Sequence, residues 1–412
     1  MLKKFKNFNL FKIYIIFLFI LSSFYLSSVY LSTVNNAMSE WVINYGGGFV
    51  RRGLIGEIIF QLSNFFKITL REGFLILQIL LYFFYYLIIY WLLSNFKKNF
   101  IVYLAIFSPV FYSFGLYELE ALGRKEILMY IFFSYNFYLF YKYKNINLNY
   151  IFTFLSLIIL ILNHESVIFY YLFYLFFFLV IDKKKDFRFY SLNFLLLFIV
   201  IFVSYLIYIN PHSSTDNLEM CKRLLNLSNE RCGLAANFTT ANISRHIDEV
   251  SWRFIDVKNY IFIFIFGFTG IFLLIYKSNL TNKFYILNLN PFFILIFCSL
   301  PGLLLFLIAV DTGRWTSMLY HMIAISFFGM IKLGYIKMDS DIKYKYIDFK
   351  KIKNNFLFYF LIFILCFGWS PKAVYHESFG TFPAYRMIVK IKKFIPDFYQ
   401  SNHFFNKLLA NK

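Results

Sequence analysis

The chain is 412 residues long, 60% hydrophobic and 24% aromatic, with only 15% charged residues, a composition that excludes a water-soluble globular domain and defines a membrane protein. The formal net charge of +20 does not indicate a nucleic-acid binder: the basic residues fall in short clusters between apolar runs, as topology signals do, and there is no basic, aromatic-interleaved soluble domain.

A bilayer core asks for about 20 apolar residues per helix. In chain order, the stretches 10–33, 73–95, 99–117, 126–141, 149–163, 166–181, 188–209, 259–276, 287–309, 315–333 and 355–369 predict an all-α polytopic membrane protein of about eleven transmembrane helices. The first run is too long for a signal-peptide core and has no small-residue cleavage site, so it is read as a retained span. Lys3, Lys4, Lys6 and Lys12 place the N-terminus inside. The lysine clusters at 97–98, 142–144, 182–188, 277–283 and 332–353 then all fall inside, and the C-terminus lies outside.

Between the first two spans, "GLIGEIIFQLSNFF" (53–66) is apolar but too short to cross. Glu57, Gln61 and Asn64 recur at i, i+4 and i+7, the polar stripe of an amphipathic helix lying on the outer surface. The helical domain therefore covers 1–369, with one large outer loop at 210–258. The tail 370–412 is expected to rest on the outer surface. Cys221 and Cys232 share the large loop on the side where a disulfide persists, and they are the candidate pair.

This topology gathers the glutamates and nearly all the arginines outside, whereas the positive-inside rule would draw arginines inward. The richest outer stretch is "EWVINYGGGFVRRGLIGE" (40–57). Gly46, Gly47 and Gly48 permit a turn whose amides face an anion. Arg51 and Arg52 follow, ahead of a helix N-terminus, and arginine grips phosphate bidentately. The simpler reading is that the glycines turn the chain and the arginines anchor to lipid phosphates. Glu40, in the same loop, is either a solvated glutamate, a general base for a hydroxyl, or a ligand for a divalent metal bridging to a diphosphate. No Gly-Lys-Ser/Thr follows, so a nucleotide P-loop is excluded.

"YELEALGRKE" (117–126) adds Glu120, Arg124, Lys125 and Glu126; "NHE" (163–165) adds His164 and Glu165; "DTGRW" (311–315) adds Asp311 and Arg314 at i, i+3. The last two are either a salt bridge at the membrane boundary or a second acid with a second phosphate ligand. His321 is the one strongly titratable residue well inside a span and reads as bonded to a neighbouring helix. No Asp, Glu, Lys or Arg lies in the middle of a span, which argues against an ion-coupled transporter. A zinc-spaced His/Cys set and a serine nucleophile elbow are also missing from the sequence.

An acidic residue in the first outer loop, a helix lying along the membrane and many spans with polar outer loops resemble the GT-C superfamily of membrane glycosyltransferases. The resemblance implies a polyprenyl-phosphate-linked sugar donor used on the outer face, with Glu40 as catalytic carboxylate and Arg51, Arg52, Arg124 and Arg314 on the donor phosphate. Among the other outer residues, Asp311 is the fallback carboxylate, and Glu57, Glu120, His164 and Glu165 are further candidates. Glu40 is followed by Trp41, so the acidic pair usual in many members is missing. The chain is also similar to O-antigen and capsule polymerases, which join lipid-linked repeat units. A lipid-linked oligosaccharide flippase or an assembly subunit working with other polysaccharide-assembly proteins is the non-enzymatic alternative. Each implies a protein of the bacterial inner membrane, a polyprenyl-linked substrate and no nucleic acid.

Overall fold

Uninterrupted apolar sequence forms helices here, and the helices stop where capping chemistry or proline stops them. The computed structural model describes residues 10–31, 36–94, 96, 100–228, 232, 238–240, 257–280, 290–308, 311–338 and 356–373, with single positions at 382, 383, 385 and 388. The surface placement expected for the tail 370–412, and about half of loop 210–258, including 241–256, lie outside the described residues. The helices are α1 Leu10–Leu31, α2 Asn36–Trp41, α3 Leu54–Phe66, α4 Leu70–Leu93, α5 Phe100–Ile106, α6 Phe114–Tyr117, α7 Glu126–Tyr143 and α8 Ile146–Asn163. After a 3-10 segment over Glu165–Tyr170 come α9 Tyr171–Ile181, α10 Phe187–Ile209, α11 Ser214–Ser228, α12 Val257–Tyr276, α13 Pro291–Leu303, α14 Leu305–Ile308, α15 Thr312–Leu333 and α16 Phe356–Phe367. Among the described residues the sheet is a single antiparallel pair, β1 Ser278–Leu280 with β2 Ile336–Met338, in the register Asn279 to Lys337.

Among the described residues, six helical stretches are long and apolar enough to cross a membrane: Leu10–Ser28, α4, α8, α10, Pro291–Ile308 and α15. The chain is thus an all-α integral membrane protein. Its outer surface agrees: α10 exposes Phe194, Phe198, Phe202 and Tyr205 and buries Leu196, Ile199, Val200 and Val203. An exposed apolar face on a helix of this length fits a lipid surface. Conversely, α15 is buried continuously from Gly313 to Met330. It is the central post, packed against α4, α7, α12 and α13.

Local signals set the ends. Thr69 and Glu72 form a reciprocal capping box at the start of α4. Asn145 caps α8, Asp186 caps α10, and Asn290 with Pro291 starts α13. Gly334 closes α15 at φ +82°, where a side chain would be strained.

Three predicted spans depart from a continuous α-helix. The 99–117 stretch is helical only over α5 and the one-turn α6, because Pro109 disfavours helix at Ser108 and supplies no backbone donor. The Ala105 carbonyl, which has no amide to meet at Pro109, is satisfied across the bundle by the Tyr320 hydroxyl at 2.6 Å, and the Ser108 hydroxyl ties the break to the next helix by donating to the Gly267 carbonyl at 2.8 Å. The 287–309 stretch carries Pro301 and breaks between α13 and α14. The 166–181 stretch opens as the 3-10 segment.

Arg314 and Lys332 mark the two ends of α15. Eighteen residues at about 1.5 Å each separate them by roughly 27 Å, close to the hydrocarbon thickness of a bilayer. At the lysine end, Lys332 donates to the Ser94 carbonyl closing α4, at 2.6 Å. All the chemistry described below lies at the arginine end.

Candidate functional site: a buried charge cluster at one end of the bundle

Four separate connectors bring their charged residues into one cluster. Glu40 sits on α2 just after α1. Arg51 and Arg52 lie in the turn before α3. Arg124 and Lys125 precede α7, and Glu126 starts it. His164 and Glu165 link α8 to the 3-10 segment, and Asp311 and Arg314 open α15.

Glu40 is the centre, only 2% exposed. Its Oε1 faces Arg124 Nη1 at 2.7 Å, Arg314 Nη2 at 3.4 Å and Arg52 Nη1 at 3.8 Å. Burial alone would raise the Glu40 carboxyl; Arg124, Arg314 and Arg52 outweigh it and hold the group well below the usual carboxylate range. Arg314 also donates from Nε to Glu126 Oε1 at 2.9 Å, bonds the same oxygen through Nη2, and pairs with Asp311 through Nη1. One guanidinium therefore joins three carboxylates from three elements.

Arg52 binds Glu165 through both prongs of its fork, Nε to Oε2 at 2.8 Å and Nη2 to Oε1 at 2.6 Å, and Arg51 lies 3.5 Å from the same carboxylate. This is the bidentate geometry in which arginine takes phosphate. These side chains form the accessible rim, 24–26% exposed, whereas those of Glu40, Arg124, Glu126 and Arg314 are 3–7% exposed. Arg52 has φ +66°, uncommon for a non-glycine residue. Its carbonyl accepts from Lys125 Nζ at 2.5 Å. Burial pushes the Lys125 ammonium down to about 7, against the pull of Glu40. With Lys125 carrying only part of a charge near pH 7, four arginines (Arg51, Arg52, Arg124, Arg314) balance four acids (Glu40, Glu126, Glu165, Asp311), which lowers the cost of burying the cluster.

His164 Nδ1 accepts from the Ser166 amide at 3.3 Å and lies 2.6 Å from the Ser166 hydroxyl, so its proton sits on Nε2, 3.7 Å from Glu126 Oε1. Burial, with Arg52 nearby, pushes this imidazole down to about 4, and it is neutral at pH 7. Gly123, at φ +76°, anchors the strand of chain before Arg124: its carbonyl accepts from Trp41 Nε1 and Gln78 Nε2, and its amide donates to the Tyr82 hydroxyl. Below the cluster, a cavity of about 50 Å³ lies between Arg124, Glu126 and Arg314 and a floor of Tyr85, Tyr112, Tyr130 and His321. His321 is satisfied as expected: Nδ1–H donates to the Ser317 carbonyl at 2.7 Å, Nε2 accepts from the Tyr85 hydroxyl at 2.6 Å, and the ring stacks on Tyr130 at 3.9 Å.

Of the sequence candidates, Glu40, Asp311, Arg51, Arg52, Arg124, Arg314, His164 and Glu165 are brought together. Glu57 and Glu120 are not. Glu57 is gripped by both prongs of Arg223 from α11, at 2.7 and 2.9 Å, and accepts from the Tyr45 amide at 3.1 Å. Glu120 is exposed and contributes only its carbonyl, to Arg124 Nε at 2.7 Å. The triple glycine serves a different purpose from an anion turn. A Cβ at Gly46 would collide with the Arg223 side chain and one at Gly47 with the Asp216 backbone. Gly46 and Gly47 are the floor on which α11 docks, with Met220 packed on Ile43 and Val50 and the Cys221–Cys232 disulfide at its edge. The expected helix N-terminal anion site is taken as well, since the Ile55 amide donates to Asn163 Oδ1 at 2.9 Å.

Glu126 and Lys125 stand in the outer stretches of the sequence but received no role there. Their signal was position beside Arg124, in a chain where such letters are rare. Among the described residues, no group of three or more His, Cys, Asp or Glu side chains is arranged to hold a metal ion.

Fold and site together define a polytopic all-α membrane protein with a charge-balanced cluster buried at one end of its helices. No protein-family model, curated protein or solved structure matches the chain.

Proposed function

We propose that the protein is a membrane glycosyltransferase of the bacterial cytoplasmic membrane that takes a sugar from a polyprenyl-phosphate-linked donor on the outer face, in envelope polysaccharide assembly. The observation that carries the reading is the Arg51–Arg52–Glu165 rim. A carboxylate there occupies a guanidinium fork at the partly exposed edge of a buried arginine cluster, and a donor phosphate fits the same fork with more charge. Buried charge clusters are costly in a membrane protein and mark function rather than stability.

In this mechanism the donor phosphate displaces Glu165 and is held by Arg51 and Arg52. Its charge draws Arg314 and Arg124 toward it, and Glu40, relieved of part of their field, becomes a competent proton acceptor. The acceptor hydroxyl oxygen attacks the anomeric carbon, the carbon–oxygen bond to the phosphate breaks with its electron pair leaving on the phosphate, and the hydroxyl proton passes to Glu40. Asp311 is the second carboxylate for that role. Neutralisation of the leaving phosphate by the arginines is the largest contribution expected in such a site.

The test is the surface and lipid-linked glycan profile, by mass spectrometry, of cells carrying Arg52→Ala or Glu40→Gln at normal membrane abundance. Loss of one sugar or branch supports the transferase. Loss of polymer length alone assigns repeat-unit polymerisation instead. An unaltered profile from both variants removes the cluster from glycan assembly.

A further inference from the structure

The cavity beneath the cluster carries a chemical demand of its own. Glu126 Oε2 and the Tyr112 hydroxyl are buried there without a hydrogen-bond partner, in residues only 5% and 3% exposed. Unsatisfied buried polar atoms are uncommon and costly, roughly 1–3 kcal/mol each, so a partner is expected to enter. A phosphate does not fit, because it would face the unpaired oxygen of the Glu126 carboxylate. An ammonium does not fit, because Arg124 and Arg314 line the same wall. A group that both donates and accepts without charge fits: it donates to Glu126 Oε2 and exchanges a hydrogen bond with Tyr112.

We propose that this cavity is a hydroxyl subsite that takes one alcohol arm of a neutral sugar. At about 50 Å³ it holds about three to five waters, at roughly 10–15 Å³ of such space each, which is room for a hydroxymethyl group and not for a whole ring. Nearby, Glu40 Oε2 and His164 Nε2 are likewise buried without a hydrogen-bond partner. This inference rests on the transfer reading only for the sugar's role; the binding itself is independent of it.

The experiment uses the purified full chain in lipid nanodiscs, titrated with D-glucose, D-galactose and N-acetyl-D-glucosamine, and separately with inorganic phosphate, following the melting midpoint. At least one sugar raises the midpoint saturably, and phosphate does not displace it. Tyr112→Phe deletes an unpartnered hydroxyl, so the unliganded midpoint stays level or rises, while sugar affinity falls about tenfold, the worth of one hydrogen bond. Ala121→Leu, which fills the cavity, abolishes the sugar shift in a protein that still folds. Absence of any saturable sugar shift, or equal sugar affinity in Tyr112→Phe, overturns the proposal. Sugar binding with an unaltered cellular glycan profile in Arg52→Ala instead removes the transfer reading and leaves the subsite standing.

Discussion

Replacing Arg314 by Met tests whether the cluster is one electrostatic unit. Arg314 bonds Glu126 and Asp311 and lies 3.4 Å from Glu40. Its loss leaves Glu126 buried, with His164, held neutral, 3.7 Å away. Removing one partner of a buried pair costs about 3–5 kcal/mol, because the stranded charge has nowhere to go. For 412 residues, an unfolding entropy of about 2.1 cal/mol/K per residue converts that into a fall in melting midpoint of roughly 3–6 °C. The assay is a detergent melt monitored by fluorescence size exclusion. Adding Glu126→Gln to Arg314→Met removes the stranded charge, so the double variant regains part of the loss, with an interaction energy of about 2–3 kcal/mol. A wild-type midpoint for Arg314→Met, or strictly additive losses in the double variant, would refute the account of a mutually supporting cluster.

Lys125 falls from an ordinary 10.5 to about 7 in the folded protein, so the unfolded chain binds more protons between those values. Stability should rise with pH from about 7 toward 10, and Lys125→Met should flatten that rise in a pH series of melts. Gly47→Val places a side chain against the Asp216 backbone and should lift α11, read as faster limited proteolysis after α10 with α3 and α4 still protected. The Cys221–Cys232 bond closes a short loop and should contribute about 2–3 kcal/mol. Reduction should therefore lower the melting midpoint of wild type and not that of Cys221→Ser. After reduction, labelling of these thiols by a membrane-impermeant maleimide in intact spheroplasts tests the outward placement of the loop.

The all-α membrane character was legible, because apolar run length reports directly on helices in a bilayer; of the eleven spans expected, six helical stretches among the described residues have the length and hydropathy to cross. The breaks were not: Pro109 and Pro301 were visible, but only tertiary partners such as Tyr320 and Ala105 show that a broken helix is tolerated there. The cluster was legible in membership because Arg, Glu and His are rare letters that fell on one side of the lysine-based topology. Its pairings were not, since the Arg314–Glu126 and Arg52–Glu165 bonds span 188 and 113 residues and leave no periodic trace. The triple glycine was misread for the same reason. Its partner is α11, and nothing local in "NYGGGFVRR" reveals a helix resting on it.

The most direct test of the central claim, that the arginine cluster receives a polyprenyl phosphate, is native mass spectrometry of the purified protein released from nanodiscs containing undecaprenyl phosphate. Wild type should retain one lipid of that mass, and Arg51→Ala/Arg52→Ala should lose it while Arg223→Ala, outside the cluster, keeps it. Equal retention by wild type and the double variant, or no retention by either, would contradict the account.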